Sequence, residues 1–178
     1  MLLKGILNKG VYMNYKKKMI SWDDVYLCIN NIITELQKDK VGIDVLVPVL
    51  KGGFIASMFL GKNLDIDKFA GIQVRRSDSN IINSDFHKAK YLGITNPDII
   101  KNAQILIVED IIHTGKTIEL VVEKLKKYQP SKIYICALYN YYSGNDFGKI
   151  YQGNVNKNHV NWIVFPWDYQ HPEGRLIK

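Results

Sequence analysis

Apolar residues along this chain alternate between two spacings, one helical and one strand-like. Trp22, Val25, Ile29, Ile32, Ile33 and Leu36 recur at helical intervals. Ser21 is the candidate N-cap, with Asp24 three residues on as an imperfect capping box. This predicts a helix through 21–36, with Trp22 as a core anchor. Val45, Val47 and Val49 stand in a short apolar run over 44–50 that reads as a buried strand. Lys51-Gly52-Gly53 breaks that run, and a helical pattern resumes over 54–63. A strand is expected at 70–74, another at 105–108, a helix at 116–128 ended by Pro130, and further strands at 133–138 and 162–165. Strands alternating with helices predict an α/β fold with a mainly parallel central sheet flanked by helices.

Two stretches have no clear period. Residues 75–96 are polar and include Ser77, Asp78, Ser79, Asn80, Asn83, Ser84 and Asp85. A loop of that length in a compact domain is usually a functional lid or disorder. Residues 139–161 are irregular and rich in Tyr, Asn and Gly. Asp146-Phe147-Gly148 lies within them without any other element of a kinase, so it reads as turn sequence.

Composition narrows the function classes. The chain has 178 residues, 47% apolar and 23% charged, ordinary values for a globular domain with a real core. No apolar run approaches the ~18 residues of a membrane span. Residues 1–18 mix short apolar patches with Lys4, Lys9 and Lys16 to Lys18, without a sustained signal region. They read as an N-terminal extension, with Met13 and Met19 as alternative starts, and 19–178 read as one domain. Cys28 and Cys136 lack metal-ligand spacing and are expected to be buried free thiols in a cytoplasmic protein. The net charge of +7 suits a polyanionic ligand. The basic residues are scattered rather than interleaved with aromatics, which disfavours nucleic acid.

The most informative run is 105–117, Ile-Leu-Ile-Val-Glu-Asp-Ile-Ile-His-Thr-Gly-Lys-Thr. A buried strand delivers two acids, Glu109 and Asp110, at its carboxyl end. A turn bearing hydroxyls and a glycine then leads into a helix. Paired carboxylates can accept hydrogen bonds from vicinal hydroxyls, and the turn can wrap a phosphate with backbone N–H groups at a helix N-terminus. This is the chemistry of a phosphorylated-sugar site. Gly115-Lys116-Thr117 also matches the end of a P-loop, but that motif needs glycine five positions earlier. Asp110 stands there, and its carboxylate would repel the phosphates.

Residues 105–117 resemble the signature of the type I phosphoribosyltransferases, most of all the hypoxanthine-guanine branch. Residues 45–54, Val-Leu-Val-Pro-Val-Leu-Lys-Gly-Gly-Phe, resemble its pyrophosphate-binding loop. Residues 162–168, Trp-Ile-Val-Phe-Pro-Trp-Asp, are similar to the C-terminal base-covering segment of xanthine-guanine and archaeal-type relatives. The resemblance implies the type I phosphoribosyltransferase fold with a long mobile loop, here within 75–96, that closes over the site. It implies transfer of 5-phosphoribosyl from 5-phosphoribosyl 1-pyrophosphate (PRPP) to a purine-type base in purine salvage, with Mg2+ and release of pyrophosphate. Glu109 and Asp110 would hold the ribose hydroxyls directly or through a metal-bound water. Thr114, Gly115, Lys116 and Thr117 would hold the 5′-phosphate. Leu50, Lys51 and Gly52, across a cis peptide, would receive pyrophosphate with Arg75 and Arg76. Arg175 is a weaker candidate. Asn140, Tyr141, Trp162, Ile163, Trp167 and Asp168 would surround the base, and Asp168 could instead serve a second metal. A homodimer or homotetramer is expected on the same ground.

Two positions depart from the resemblance. The branch normally has aspartate where His113 stands, as acid/base at purine N7. Histidine, with an ordinary pKa of ~6.5, can do that work, or His113 can simply shape the pocket. Relatives that read a 6-oxo group carry a lysine just after the strand at 133–138, where this chain has Tyr139-Asn140-Tyr141-Tyr142. A PRPP- or nucleotide-sensing regulatory protein on the same fold, or an enzyme for an unusual base, therefore stand as alternatives.

Overall fold

The computed structural model describes residues 16–76, 89–154 and 161–168. Its elements are β1 (Lys16–Met19), α1 (Trp22–Lys38), β2 (Val45–Leu50), α2 (Gly52–Leu64), β3 (Ile72–Arg76), β4 (Ala89–Ile94), β5 (Gln104–Ile112), α3 (Lys116–Lys126), β6 (Lys132–Asn140), β7 (Ile150–Asn154) and β8 (Asn161–Val164). They fall into two compact units, Trp22–Lys157 and a smaller one of Met1–Ser21 with Asn158–Lys178.

In the larger unit a six-stranded sheet runs in the order β4-β3-β2-β5-β6-β7. Every pairing is parallel except β3 with β4. The α/β expectation is met. Strands β2 and β5 sit side by side in the centre, with Val45 opposite Ile105 and Pro48 opposite Val108. Both read as continuous apolar runs because both faces of a parallel sheet are covered. Val45, Val47, Ile105, Ile107, Ile135 and Ala137 pack with Ile118, Val121 and Leu125 of α3. Leu46 meets α2 at Gly61. A strand-helix-strand layout of this kind places loops, and hence ligands, beyond the carboxyl ends of the strands.

The aperiodic stretches contain more structure than their sequence shows. Arg75 and Arg76 belong to β3, and 89–94 form β4, so the loop expected over 75–96 is shorter; its remainder lies outside the described residues. The ladder passes from Gln73–Gly93 to Val74–Tyr91, leaving Leu92 as a bulge. That bulge and the exposed edge erase the two-residue period. Strand β7 likewise falls inside 139–161. Its inward positions are Tyr151 and Gly153, a pair with little apolar signal. Gly153 is needed because its backbone lies against Cys28 of α1, and Asn31 Nδ2 donates to its carbonyl at 2.8 Å. Lys149 adds ion pairs to Asp39 at 2.6 Å and Glu35 at 3.0 Å, and the Tyr151 hydroxyl bonds Asp39 at 3.0 Å.

Other expectations resolve cleanly. Cys28 and Cys136 are buried thiols outside any disulfide, and burial pushes the Cys136 thiol well above its ordinary range. Trp22 is not a core anchor: it is 45% exposed, with its ring edge-on to Phe59 at 6.1 Å. Helical spacing put it on the apolar stripe, but it sits at the first turn, where the stripe runs out. No described helix is long and apolar enough to cross a membrane.

In the smaller unit β1 and β8 pair in parallel, Lys16 opposite Asn161 through Met19 opposite Val164. Strand β1 begins inside the stretch read as an extension, and residues 1–15 lie outside the described residues.

A methyl group at Gly153 would overlap Cys28, with its backbone oxygen 2.8 Å from the added carbon. Gly153→Ala is therefore expected to cost about 1–3 kcal/mol by overpacking. Thermal unfolding should show this as a fall of several degrees in Tm.

Candidate active site

Three adjacent carboxyl ends build the site. Strand β2 ends at Leu50, and the Leu50–Lys51 peptide is cis, as the resemblance implied. Lys51 begins the turn into α2, with Phe54 N–H donating to its carbonyl at 3.1 Å, and its side chain is exposed. Gly52 and Gly53 allow α2 to start directly on top of β5. A Cβ on Gly52 would fall on the Asp110 carboxylate, and one on Gly53 on the Val108 carbonyl. No side chain longer than hydrogen fits at either position.

Strand β5 continues past both acids to Ile112 through its ladder with β6, rather than ending at them. Glu109 is buried, and its Oε1 accepts the Asp110 N–H at 3.1 Å. Asp110 is half-buried, and its Oδ1 accepts the Ile111 N–H at 2.7 Å. These bonds hold the carboxylates in place while leaving further lone pairs for a ligand.

His113 and Thr114 follow, both exposed. Gly115 has φ 78° and caps α3 with no side-chain hydrogen bond at the cap. Only glycine takes that backbone region freely. The Gly115 carbonyl receives Glu119 N–H at 2.9 Å, so the helix begins there. Thr117 is half-buried and Lys116 exposed. The first-turn N–H groups and the two hydroxyls are donors of the kind that can meet an anion at a helix start.

Strand β6 closes the third side. Ile112 pairs with Asn140, and Tyr141 N–H donates to the Ile112 carbonyl at 2.8 Å. The His113 and Tyr141 rings meet edge-on at 6.1 Å, and burial raises the Tyr141 hydroxyl pKa. The Asn140 amide is engaged at both ends. Its Nδ2 donates to Gln152 Oε1 at 3.2 Å, and its Oδ1 accepts Tyr142 N–H at 3.0 Å. One Nδ2 hydrogen and the Gln152 amide remain to meet a ligand.

The larger unit thus brings together Leu50, Lys51, Gly52, Glu109, Asp110, His113, Thr114, Gly115, Lys116, Thr117, Asn140 and Tyr141 at neighbouring strand ends. Leu50 pairs with Gln73, so Arg75 and Arg76 continue β3 past that level. Arg75 is exposed. Trp162, Ile163, Trp167 and Asp168 belong to the smaller unit. There the Phe165 and Trp167 rings stack at 4.5 Å, and Asp168 Oδ2 accepts the Phe165 N–H at 3.1 Å. Ile163 is buried. Arg175 lies outside the described residues.

Sequence reasoning missed two residues beside the turn at Gly115. Tyr142 and Phe147 press their ring edges against Gly115. The spacing of these aromatics in an irregular stretch carries no period. The signal available was that each stands close to a glycine, Gly144 and Gly148, where a ring can fold back.

The chain matches the model of the phosphoribosyl transferase domain over residues 19–173. A xanthine-guanine phosphoribosyltransferase of Ruegeria sp. is 29% identical over 156 residues, 84% of each chain. The hypoxanthine phosphoribosyltransferase of Escherichia coli K12 is 32% identical over 106 residues, 60% of this chain and 58% of that one. The crystal structure of a purine phosphoribosyltransferase from Pyrococcus horikoshii superposes with a TM-score of 0.66 at 27% identity, covering 92% of this chain and 98% of that one. The protein belongs to the phosphoribosyltransferase family.

Gly52→Ala tests the closeness of the two loops. The methyl must displace Asp110, so donor-dependent turnover should fall by about 10²-fold, the scale of a misplaced site group. Circular dichroism should remain that of the parent. Unchanged turnover would show that Asp110 moves without consequence.

Proposed function

We propose that the protein transfers the 5-phosphoribosyl group of PRPP to a purine-type base of the hypoxanthine, guanine and xanthine class. The products are pyrophosphate and a nucleoside 5′-monophosphate, as in purine salvage. The observation that carries this reading is the seating of the Lys51-Gly52 turn on Asp110, immediately before the Thr114-to-Thr117 phosphate turn. That arrangement provides neighbouring places for a pyrophosphate, a ribose and a 5′-phosphate. The purine relatives support the base class.

In the reaction the bond from the ribose anomeric carbon to the pyrophosphate oxygen breaks, and a bond to the base nitrogen forms. Thr114, Gly115, Lys116 and Thr117 anchor the 5′-phosphate through backbone N–H groups, hydroxyls and the ammonium. Glu109 and Asp110 accept the ribose hydroxyls and favour the positive charge that develops on the sugar. Lys51 and the amides beside Gly52 receive the pyrophosphate, aided by Arg75 and Arg76. His113 takes the proton released from the base, with Tyr141 packed on its ring. By the resemblance of 162–168, Trp162, Ile163, Trp167 and Asp168 are the candidates for covering the base.

The residues fit Mg2+. Among the described residues no group of three or more His, Cys, Asp or Glu could cage a metal. Glu109 and Asp110 nevertheless supply carboxylate oxygens, and Mg2+ prefers oxygen ligands while keeping several waters. They would hold it directly or through water, where it neutralises the charge of the pyrophosphate; Asp168 is a second candidate ligand. We read 19–178 as one working phosphoribosyltransferase with 1–18 as an extension, acting in the cytoplasm as a homodimer or homotetramer.

A second reading rests on Asn140. Its amide, tied to Gln152 and Tyr142, replaces the lysine of 6-oxopurine readers and favours a base with a different edge.

Pyrophosphate release from PRPP with a panel of bases tests both. Turnover is expected with hypoxanthine, guanine or xanthine. No turnover with these or adenine would sink the purine reading, and PRPP binding without turnover would favour a sensor. Asp110→Asn should lower turnover about 10²–10³-fold, the scale of losing one charge-stabilising group, with the fold intact. For His113→Asp, the limb of the pH–rate profile should move to lower pH, because a carboxyl titrates below an imidazole. An unmoved profile would assign His113 to lining the pocket.

A further inference from the structure

We propose that Tyr142, Asp146 and Phe147 form a latch that holds the phosphate turn at Gly115 in its binding shape. The proposal rests on the assignment of 114–117 as the donor-phosphate turn and adds the residues that position it. Gly115 has no side chain, so its path is set by what packs on its backbone. A Cβ there would lie 2.7 Å from Tyr142 Cε2 and 3.1 Å from Phe147 Cε2. Both ring edges therefore rest directly on the glycine.

The rings are themselves fixed. They meet at 5.2 Å between centroids, tilted by 39°. The Tyr142 hydroxyl donates to the Asp146 carboxylate, and that bond raises its pKa. Gly144 makes the return possible, since a Cβ there would fall on the Tyr142 hydroxyl. At the other end Tyr142 N–H is held by Asn140 Oδ1 at 3.0 Å. Both rings also pack against the buried cluster around Ile118 and Val121.

The consequence is preorganisation. A turn whose N–H groups already point at the phosphate binds without first being ordered; one that samples other shapes loses affinity by the fraction of time it is misshapen. The register divides the labour, with Tyr141 against His113 and Tyr142 against Gly115. Tyr142 and Phe147 act through the turn and are positioning residues.

The test compares full-chain Tyr142→Phe, Phe147→Leu and Phe147→Ala with the parent. Readouts are hydrogen–deuterium exchange across 114–118, the Kd for PRPP by calorimetry, and the KM for PRPP against kcat. Phe147→Ala should raise Kd and KM for PRPP roughly tenfold, with kcat at saturating PRPP within about twofold. Exchange in the turn should quicken, Phe147→Leu should restore most of the loss, and Tyr142→Phe, which keeps the ring and drops the tether, should fall between. Unchanged exchange over 114–118 in both Phe147→Ala and Tyr142→Phe would overturn the latch. So would a fall in kcat and Tm together with KM unmoved. If Phe147→Ala does not fold, Tyr142→Phe decides. If the parent does not bind PRPP, the proposed function fails, and the exchange measurement still decides the latch.

Discussion

The site depends on one contact, the seating of the α2 start on the end of β5. Gly52 lies over the Asp110 carboxylate and Gly53 over the Val108 carbonyl. A Cβ at Gly53 would meet the backbone of β5 and push the two elements apart, and one at Gly52 would displace the Asp110 side chain. Because β2 and β5 are register-paired in the centre of the sheet, Pro48 opposite Val108, the end of β2 at Leu50 comes level with the acids of β5. The glycines convert that level into closeness. Two loops placed so closely can hold two joined groups side by side, which a reaction breaking the bond between such groups requires.

The sheet supplies this contact with a rigid base. Strands β2, β5 and β6 are buried on both faces, and their core members Val47, Ile107 and Ala137 are wholly inaccessible. The chemistry-bearing residues begin where burial gives way, at Asp110, His113 and Asn140. Glu109 is the exception, buried within the strand but with its carboxylate held by the Asp110 N–H. A buried acid is tolerable only with such partners.

This division also explains what could be read from sequence. Strands with both faces buried leave continuous apolar runs, so β2, β5 and β6 were legible, as were the two loops that follow β2 and β5. Their chemistry is local: glycines, hydroxyls and acids within a few positions of a strand end. Strands β4 and β7 were not legible. They lie at the two edges of the sheet, where one bulges at Leu92 and the other packs a glycine backbone on α1. Neither needs an apolar alternation. Tyr142 and Phe147 were missed because their partner, Gly115, lies far back in the chain, and no local pattern encodes a long-range ring contact. Trp22 misled for the opposite reason: its spacing was right, but a helix end leaves the core.

The acceptor side follows a different logic from the donor side. The donor is a polyanion with fixed geometry, and the groups that meet it are backbone amides, carboxylates and hydroxyls whose placement follows from the fold. The base is met by side chains, which the fold allows to vary. At Asn140 the chain replaces a long flexible cation with a short amide held at both ends, to Gln152 and to Tyr142 N–H. A lysine can swing toward whatever oxygen the base presents. An amide locked in this way offers one donor direction and carries no charge. Discrimination by a fixed neutral group comes from leaving it unpaired against the wrong base, which is costly in a dry pocket. The same stretch runs on to Tyr142, whose N–H is held by Asn140 Oδ1 and whose ring edge lies on Gly115, so the Asn140 amide and the turn at Gly115 are both in contact with one short segment of β6 and its continuation.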